Sequence, residues 1–530
     1  MISCRLTLLN KMNTKLRFPI LAASALLVAT ASCTNLEDKV LDRPTTIATA
    51  AGGSANLDQL LNGAYEQLNS FSDQSNAYAM GEHSTDEMMG PTRGTDWDDF
   101  GTWRRLHQHT WDATHNQIIG AWNNLNTGLF RTTEVTAEAA KANNASVQAQ
   151  ARFLRAFFMF NIVDLYGQVP FREANATFDS NPKVLSRTEA TQFIIDDLTY
   201  AVANLSATKN PGKATKDAAR FLLAKVYLNR AVFTNNPAQA AGPFTFAAAD
   251  MNLAIANCDA IIASANYKLE PVGQYFDNFH WNNTTLSDEL IFVIQNERGA
   301  ATGSVQNRYR MTMHYNQPFG GGWNGFTTLA DFYNSFDAAD GRRGAAIPMM
   351  TDSTGLRAGF LVGQQVDKRG KALTDRPGNP LVFTPALNLL YSNEVNGIRV
   401  IKYPIDPVRP DSPGNDYVFF RYADALLMKA EAIQRGGTAT GGATAASLVN
   451  QVRTVRGAPA LASITTDNLL AERGRELYWE GWRRNDMVRF GAFTKPFDQK
   501  PGTTPDFRAV YPIPQQALDT NPNLKQNSGY

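Results

Sequence analysis

Two short stretches pair a flat ring with side chains that bond hydroxyls. Arg93-Gly94-Thr95-Asp96-Trp97 is one, and Tyr315-Asn316-Gln317 followed by Trp323-Asn324 is the other. A carbohydrate offers apolar C–H faces rimmed by hydroxyls. A protein that holds one needs aromatic platforms for the faces and Asn, Asp, Gln or Arg for the rim. Arg93, Asp96, Trp97, Tyr315, Trp323 and Asn324 are therefore the candidate ligand-binding residues. Trp97 and Trp323 also fit a second role as braces between loop and core, because Trp is highly buried on average. Trp103, Trp111 and Trp122 are assigned to structure, and Phe326 and Tyr333 to the core.

Chemistry beyond binding finds no support in the sequence. It contains no P-loop, no GxGxxG after a strand, no GxSxG elbow, no HExxH and no CxxC. Carboxylate pairs such as Asp98-Asp99 and Asp196-Asp197 do not mark a glycosidase, because separation in space decides that chemistry. His107-x-His109 with His115 matches no strong zinc spacing. Asp96, Asp98 and Asp99 lack the loop glycine and distal glutamate of an EF-hand. No catalytic residue, metal or cofactor is assigned.

Other segments must hold these rings. Residues 72–124 carry four of the eight tryptophans with poor periodicity until Ile118-Ile119, where a helix toward Arg131 is predicted. A first helix is predicted from about Asn56 to Asn69. From Ser146 to about Ser264 the pattern is helical. One helix ends at Gly167, a C′ glycine, and another opens at the Ser186-x-x-Glu189 capping box. Helices of this length on short loops resemble tetratricopeptide-type hairpins, though no clean 34-residue repeat aligns. Residues 266–415 form a loop-rich insertion with short strands predicted at Leu290–Ile294 and Ile398–Tyr403 and a short helix at Leu329–Phe336. Helices return from Tyr417. The last of them, Asp467 to Gly491, reads as one long amphipathic helix with Thr466 as N-cap and charges three or four apart. Glu472, Arg473, Arg475, Glu476, Glu480 and Arg483 are expected to form an internal ion-pair lattice, for which the planar arginine fork is suited. The fold class is mostly α: a tetratricopeptide-like helical bundle with a loop-rich insertion containing a few short strands. Residues 56–530 are one domain, helical over 56–265 and 416–530, with the late helices packing back on the early ones.

The N-terminus reads as an export address. Lys15 and Arg17 precede an apolar run from Phe18 to Ala31 that is too short to span a bilayer. Residues 1–32 are a signal peptide, with Met12 the better start, and 33–55 a lipid-anchored tether. Cys33 follows small residues as in a lipobox and is the expected lipidation site, although Thr30 stands where leucine is usual. Cys258 lies in an apolar helical run and is assigned to the core. With Cys4 in the signal, no disulfide framework is possible. Loss of the signal removes four basic residues and no acid, leaving 46 basic and 49 acidic residues. That balance excludes a basic footprint for nucleic acid.

Two C-terminal stretches carry a family resemblance. Glu472-Arg473, Glu476-Leu477, Glu480-Gly481, Arg483 and Asp486-x-x-Arg489-x-Gly491 resemble the signature of the SusD/RagB nutrient-binding lipoproteins. The tail resembles that family's closing motif, with Tyr511-Pro512-Ile513-Pro514 and Asn521-Pro522-x-Leu524-x-Gln526-Asn527-x-Gly529-Tyr530. The resemblance implies a non-enzymatic lipoprotein of the outer membrane, exposed at the cell surface; Leu36-Glu37-Asp38 looks like its export patch. It would bind an oligosaccharide or glycan and deliver it to a SusC-like TonB-dependent barrel. The same fold binding peptides or another non-sugar nutrient is a second reading, and a helical-repeat interaction scaffold a third.

Overall fold

The computed structural model describes residues 54–176, 179–300 and 303–530, and in it each long helix packs on the next. Asn116–Lys141 lies on Ala145–Tyr166, which lies on Arg187–Asn204, then Lys216–Phe233, then Ala248–Ala263. Tyr422–Gln434, from beyond the insertion, packs on Ala248–Ala263 and carries Ala445–Val455 and Thr466–Leu477. The late helices thus extend the early stack. The signal segment, Cys33 and the tether up to residue 53 lie outside the described residues. No helix among those described is long and apolar enough to cross a membrane.

Local chemistry sets the helix ends. Ser186 and Glu189 form a reciprocal capping box, and Asn144 and Thr215 each accept a first-turn N–H. Gly167 ends its helix at φ +74°, a conformation that costs glycine little. Gly128 is needed for another reason. A Cβ there would lie 2.4 Å from the Phe158 ring, so two helices approach where only a hydrogen fits. Cys258 is buried. The predicted first helix is Ser54–Glu66, followed by a 3-10 turn over Gln67–Phe71. The helix begun near Ile118 runs from Asn116 to Lys141, and the region before it holds short helices at Asn76–Glu82 and Thr102–His107.

The insertion and the late half meet in a buried ribbon. Leu290–Ile294 pairs antiparallel with Tyr417–Arg421, and every residue of both strands is buried. Tyr417–Arg421 was expected to open a helix. Its Tyr-Val-Phe-Phe run suits a pleated surface, and the strand at Leu290 supplies the partner. Around it Phe157, Phe292 and Phe419 meet at 4.9–6.3 Å. Arg399–Ile401 closes a three-stranded sheet with Ala358–Leu361 and Gly344–Ala345.

The charged C-terminal segment is two helices rather than one. Thr466–Leu477 is capped by Thr465, not Thr466: the Thr465 hydroxyl accepts from the Asn468 N–H at 3.2 Å. The chain then leaves the helix. Trp479 and Gly481 sit at φ +59° and +86°, and Arg483–Arg489 resumes. The freed N–H groups of Trp479 and Gly481 donate to the carboxylates of Glu87 and Glu82 at 3.2 and 2.6 Å, and the Trp479 indole donates to the Glu87 carbonyl at 3.0 Å. These tertiary bonds take the place of helical ones for the Trp479 and Gly481 N–H groups.

The break aims an ion-pair lattice inward. Glu476 accepts from Arg342 at 2.9 Å, from Arg456 at 2.9 Å and from Arg421. Glu472 takes Arg342, Arg453 and Arg475. Arg473 bridges Asp424 and Asp486, each at 2.8 Å, and Arg489 holds Glu431 and Asp486. Lys225 of the early stack reaches Asp424 at 2.8 Å. All of these groups are buried. Burial alone would raise the Glu431 carboxyl, but Arg489 and Arg435 outweigh it and hold it down at about 2.

The C-terminal tail closes over the stack. The Tyr511 N–H donates to Leu165 at 2.8 Å, Asn527 donates to the Tyr166 and Tyr511 carbonyls, and the last residue, Tyr530, accepts from the Trp111 indole at 2.7 Å.

Glu476→Gln would leave three buried guanidiniums short of an anion and should cost about 3–5 kcal/mol by denaturant titration. The pH profile has a definite sign. Glu431 ionises at about 2 when folded instead of near 4.5, so its contribution is complete above pH ~4.5, shrinks between ~4.5 and ~2, and is absent below. Melting temperature should fall over that interval, and less steeply in Glu431→Gln.

Candidate functional site

Two loops far apart in sequence build one surface. The first leaves Met89, which exchanges backbone hydrogen bonds with Thr327 at 2.8 and 2.9 Å. It turns tightly at Gly94-Thr95, where the Arg93 and Asp96 backbones pair at 2.8 and 3.0 Å. Gly94 is at φ +63°. The second is a long turn, Met311 to Phe326. Its end folds back on its beginning: Trp323 N–H donates to Arg310 O and Asn324 N–H to Met313 O, both at 2.7 Å.

Trp97 locks the loops together. Its indole N–H donates to the Trp323 carbonyl at 2.8 Å, and its ring meets Phe326 edge-on at 5.0 Å. Gly325 makes room for it, since a Cβ there would be 2.4 Å from the indole. Asp96 accepts from the Tyr315 hydroxyl at 2.9 Å and from Arg376 at 3.2 Å. Arg376 covers the Tyr315 ring at 4.2 Å and also pairs with Glu394, which contacts His314 at 3.0 Å. Tyr315, Asp96, Arg376, Glu394 and His314 are therefore one chain of polar contacts. Burial, then Asp96, pushes the Tyr315 hydroxyl up to about 12, so it stays a donor at neutral pH. Burial also holds His314 below its ordinary value against the pull of Glu394.

The six predicted residues come together but do not face the same way. Asp96, Trp97, Tyr315 and Trp323 are half-buried. Arg93 and Asn324 are buried; the Arg93 guanidinium and the Asn324 Oδ1 bond to the scaffold. Arg93 donates to the Gly325 and Asn393 carbonyls. Asn324, at φ +52°, accepts from Arg399 at 2.7 Å. Arg399 also donates to the carbonyls of Glu394, Asn396 and Gly397. Neither arginine has a carboxylate partner among the described residues. Arg376 and Glu394 were not anticipated; each sits in a polar turn with no periodicity or motif to mark it.

The remaining candidates are structural in position. Trp103, Trp111, Trp122 and Phe326 are buried, while Tyr333, expected in the core, is half-exposed. Tyr333 lies at the edge because Arg343 stacks on its ring at 4.5 Å and bonds its hydroxyl. His107, His109 and His115 are buried separately against backbone carbonyls of Asp498, Ser84 and Thr102. Among the described residues no cluster of His, Cys, Asp and Glu is arranged to hold a metal.

Comparison with known proteins matches both ends of the chain. The model described as "SusD family" matches residues 385–530, and that described as "Starch-binding associating with outer membrane" matches 50–219. The starch-binding protein SusD of Bacteroides thetaiotaomicron is 26% identical over 431 residues, 72% of each chain. Among solved structures, surface glycan-binding protein A from Bacteroides uniformis shares the fold with a TM-score of 0.68 at 20% identity, over 90% of this chain and 99% of that one. The B. thetaiotaomicron protein of the same name, in complex with laminarihexaose, gives 0.65 at 19% identity, over 89% and 99%. Two family models at the two ends of the chain, a relative aligned over 72% of each chain and a shared mostly helical fold lead to one conclusion: this chain belongs to the SusD family.

Proposed function

We propose that this protein holds a glycan, without altering it, on the surface formed by Trp97, Tyr315 and Trp323. One observation carries the reading. Six of the eight tryptophans are buried, and the two that are not are Trp97 and Trp323, joined to each other by a hydrogen bond. A ring that only braces a loop gains most by full burial. A ring kept half-open beside a phenol and carboxylates suits a sugar, whose apolar face stacks and whose hydroxyls are bonded from the rim. The names of the relatives support this: one binds starch, and another was solved with laminarihexaose.

The same reading places the protein at the outer membrane, exposed at the cell surface and held by lipid on Cys33. Residues 56–530 act as the binding domain, which passes its cargo to a SusC-like TonB-dependent barrel. The family description "associating with outer membrane" supports the location. More than one acyl chain is required for stable anchoring, since a single one gives only marginal membrane affinity.

Trp323→Ala should weaken binding to starch- or laminarin-derived oligosaccharides by about 1–3 kcal/mol in calorimetry, the loss expected for a truncated aromatic anchor. Its melting temperature should stay near wild type. Trp97→Ala should lose affinity and stability together, because its ring also packs on Phe326. Wild-type affinity in both folded variants would remove these rings from the site. Cys33→Ala should move the protein from the detergent phase to the aqueous phase; unchanged partitioning would count against the lipid anchor.

A further inference from the structure

Beside the Trp97–Trp323 surface lies an open groove of ≈ 680 Å³, lined by Thr92, Gly94, Asp98 and Arg104 on one side and the Leu390–Asn396 loop on the other. That is within the range of about 300–1,000 Å³ typical of sites for small organic ligands. Its two walls are bonded to each other. Thr92 N–H donates to Leu389 O and Ser392 N–H to Thr92 O, both at 3.0 Å.

The far wall is rigid. Asn388 Oδ1 accepts from the N–H groups of Leu390 and Tyr391 at 2.9 Å, and Asn393 and Asn396 cap each other's backbones. Arg93 and Arg399 hold its carbonyls from beneath. This rigid loop presents Tyr391 with 82% of its surface exposed, and no described residue bonds its hydroxyl. Asn393 and Asn396 use their Oδ1 atoms within the loop, and among the described residues their Nδ2 groups have no partner. Opposite, the turn between Asp98 and Arg104 carries Phe100, which is 99% exposed at φ +53°. An exposed phenol, free amide donors and a carboxylate–guanidinium pair repeat the chemistry of the neighbouring surface.

The groove is continuous with that surface. Thr92 and Arg93 bond to the 389–393 wall, while Asp96 and Trp97, a turn later, bond to Tyr315 and Trp323. We infer that the groove is a second subsite, which takes further sugar units of a chain already seated on Trp97 and Trp323. The protein then selects a polysaccharide over its short fragments. This rests on the glycan reading given above.

The test uses the whole mature chain with starch and laminarin in native affinity gels, and the matching maltotriose and laminaritriose in calorimetry. For the glucan it recognises, wild type should hold the polymer roughly tenfold or more tighter per chain than the trisaccharide. Tyr391→Ala should lose most of that margin and keep the trisaccharide affinity, while Tyr391→Phe keeps both. Trp323→Ala should lose both. Tyr391→Ala retarded like wild type, or weakened equally for polymer and trisaccharide, would overturn the second subsite while the Trp323 result leaves the first standing. Wild type that binds neither glucan in either form would overturn both.

Discussion

Buried charge is the constraint that the rest of this fold satisfies. Glu472, Arg473, Glu476, Asp486 and Arg489 lie inside the molecule, and each must meet its counter-charge there. The partners come from elsewhere in the chain: Arg342 from the insertion, Arg421 from the central ribbon, Asp424 and Glu431 from the helix that follows it, and Arg453 and Arg456 from the next, while Lys225 of the early stack holds Asp424 in turn. A hydrophobic core tolerates a small shift of one element against another. A lattice of forked, two-bond contacts does not, because a shift strands a charge. The register between insertion and helices is therefore set electrostatically, while apolar burial supplies the driving force.

The binding face is built on a different principle. Its buried arginines, Arg93 and Arg399, form no ion pair among the described residues and are held by backbone carbonyls of the loops they organise. Burial and mutual repulsion both work against the charge of Arg399. This arrangement fixes irregular backbone that no helix or sheet supports, and it leaves Asp96, Asp98 and Glu394 near the surface. Arg376 takes two of those acids on its exposed side and stacks on Tyr315. The acids are thus oriented without being withdrawn from solvent.

How much of this could be read from the chain depended on whether the cause was local. The capping box at Ser186 and the stop at Gly167 are local, and both lie where the residues place them. The inward lattice followed from acids and arginines at helical spacing. The interruption at Tyr478–Trp482 did not, because its compensating carboxylates, Glu82 and Glu87, come from nearly 400 positions earlier. Tyr417–Arg421 has helix-compatible neighbours on its C-terminal side, and only a strand contributed by the insertion makes it extended. The aromatic loops stood out by composition. That Arg93 and Asn324 turn inward, and that Arg376 and Glu394 join the outward network, depends on contacts between positions 75 to 300 residues apart. Neither leaves a mark in sequence.

The provenance of these contacts also sets an order of assembly. Asp86, Asp164 and Lys225 receive their counter-ions from Arg483, Arg484 and Asp424, and Trp111 its hydrogen-bond acceptor from the final tyrosine. A polypeptide emerging N-terminus first must keep those early groups hydrated until the chain from Asp424 onward has been made. Until then the early stack lacks the ion pairs and the hydrogen bond that tie it to the C-terminal segments.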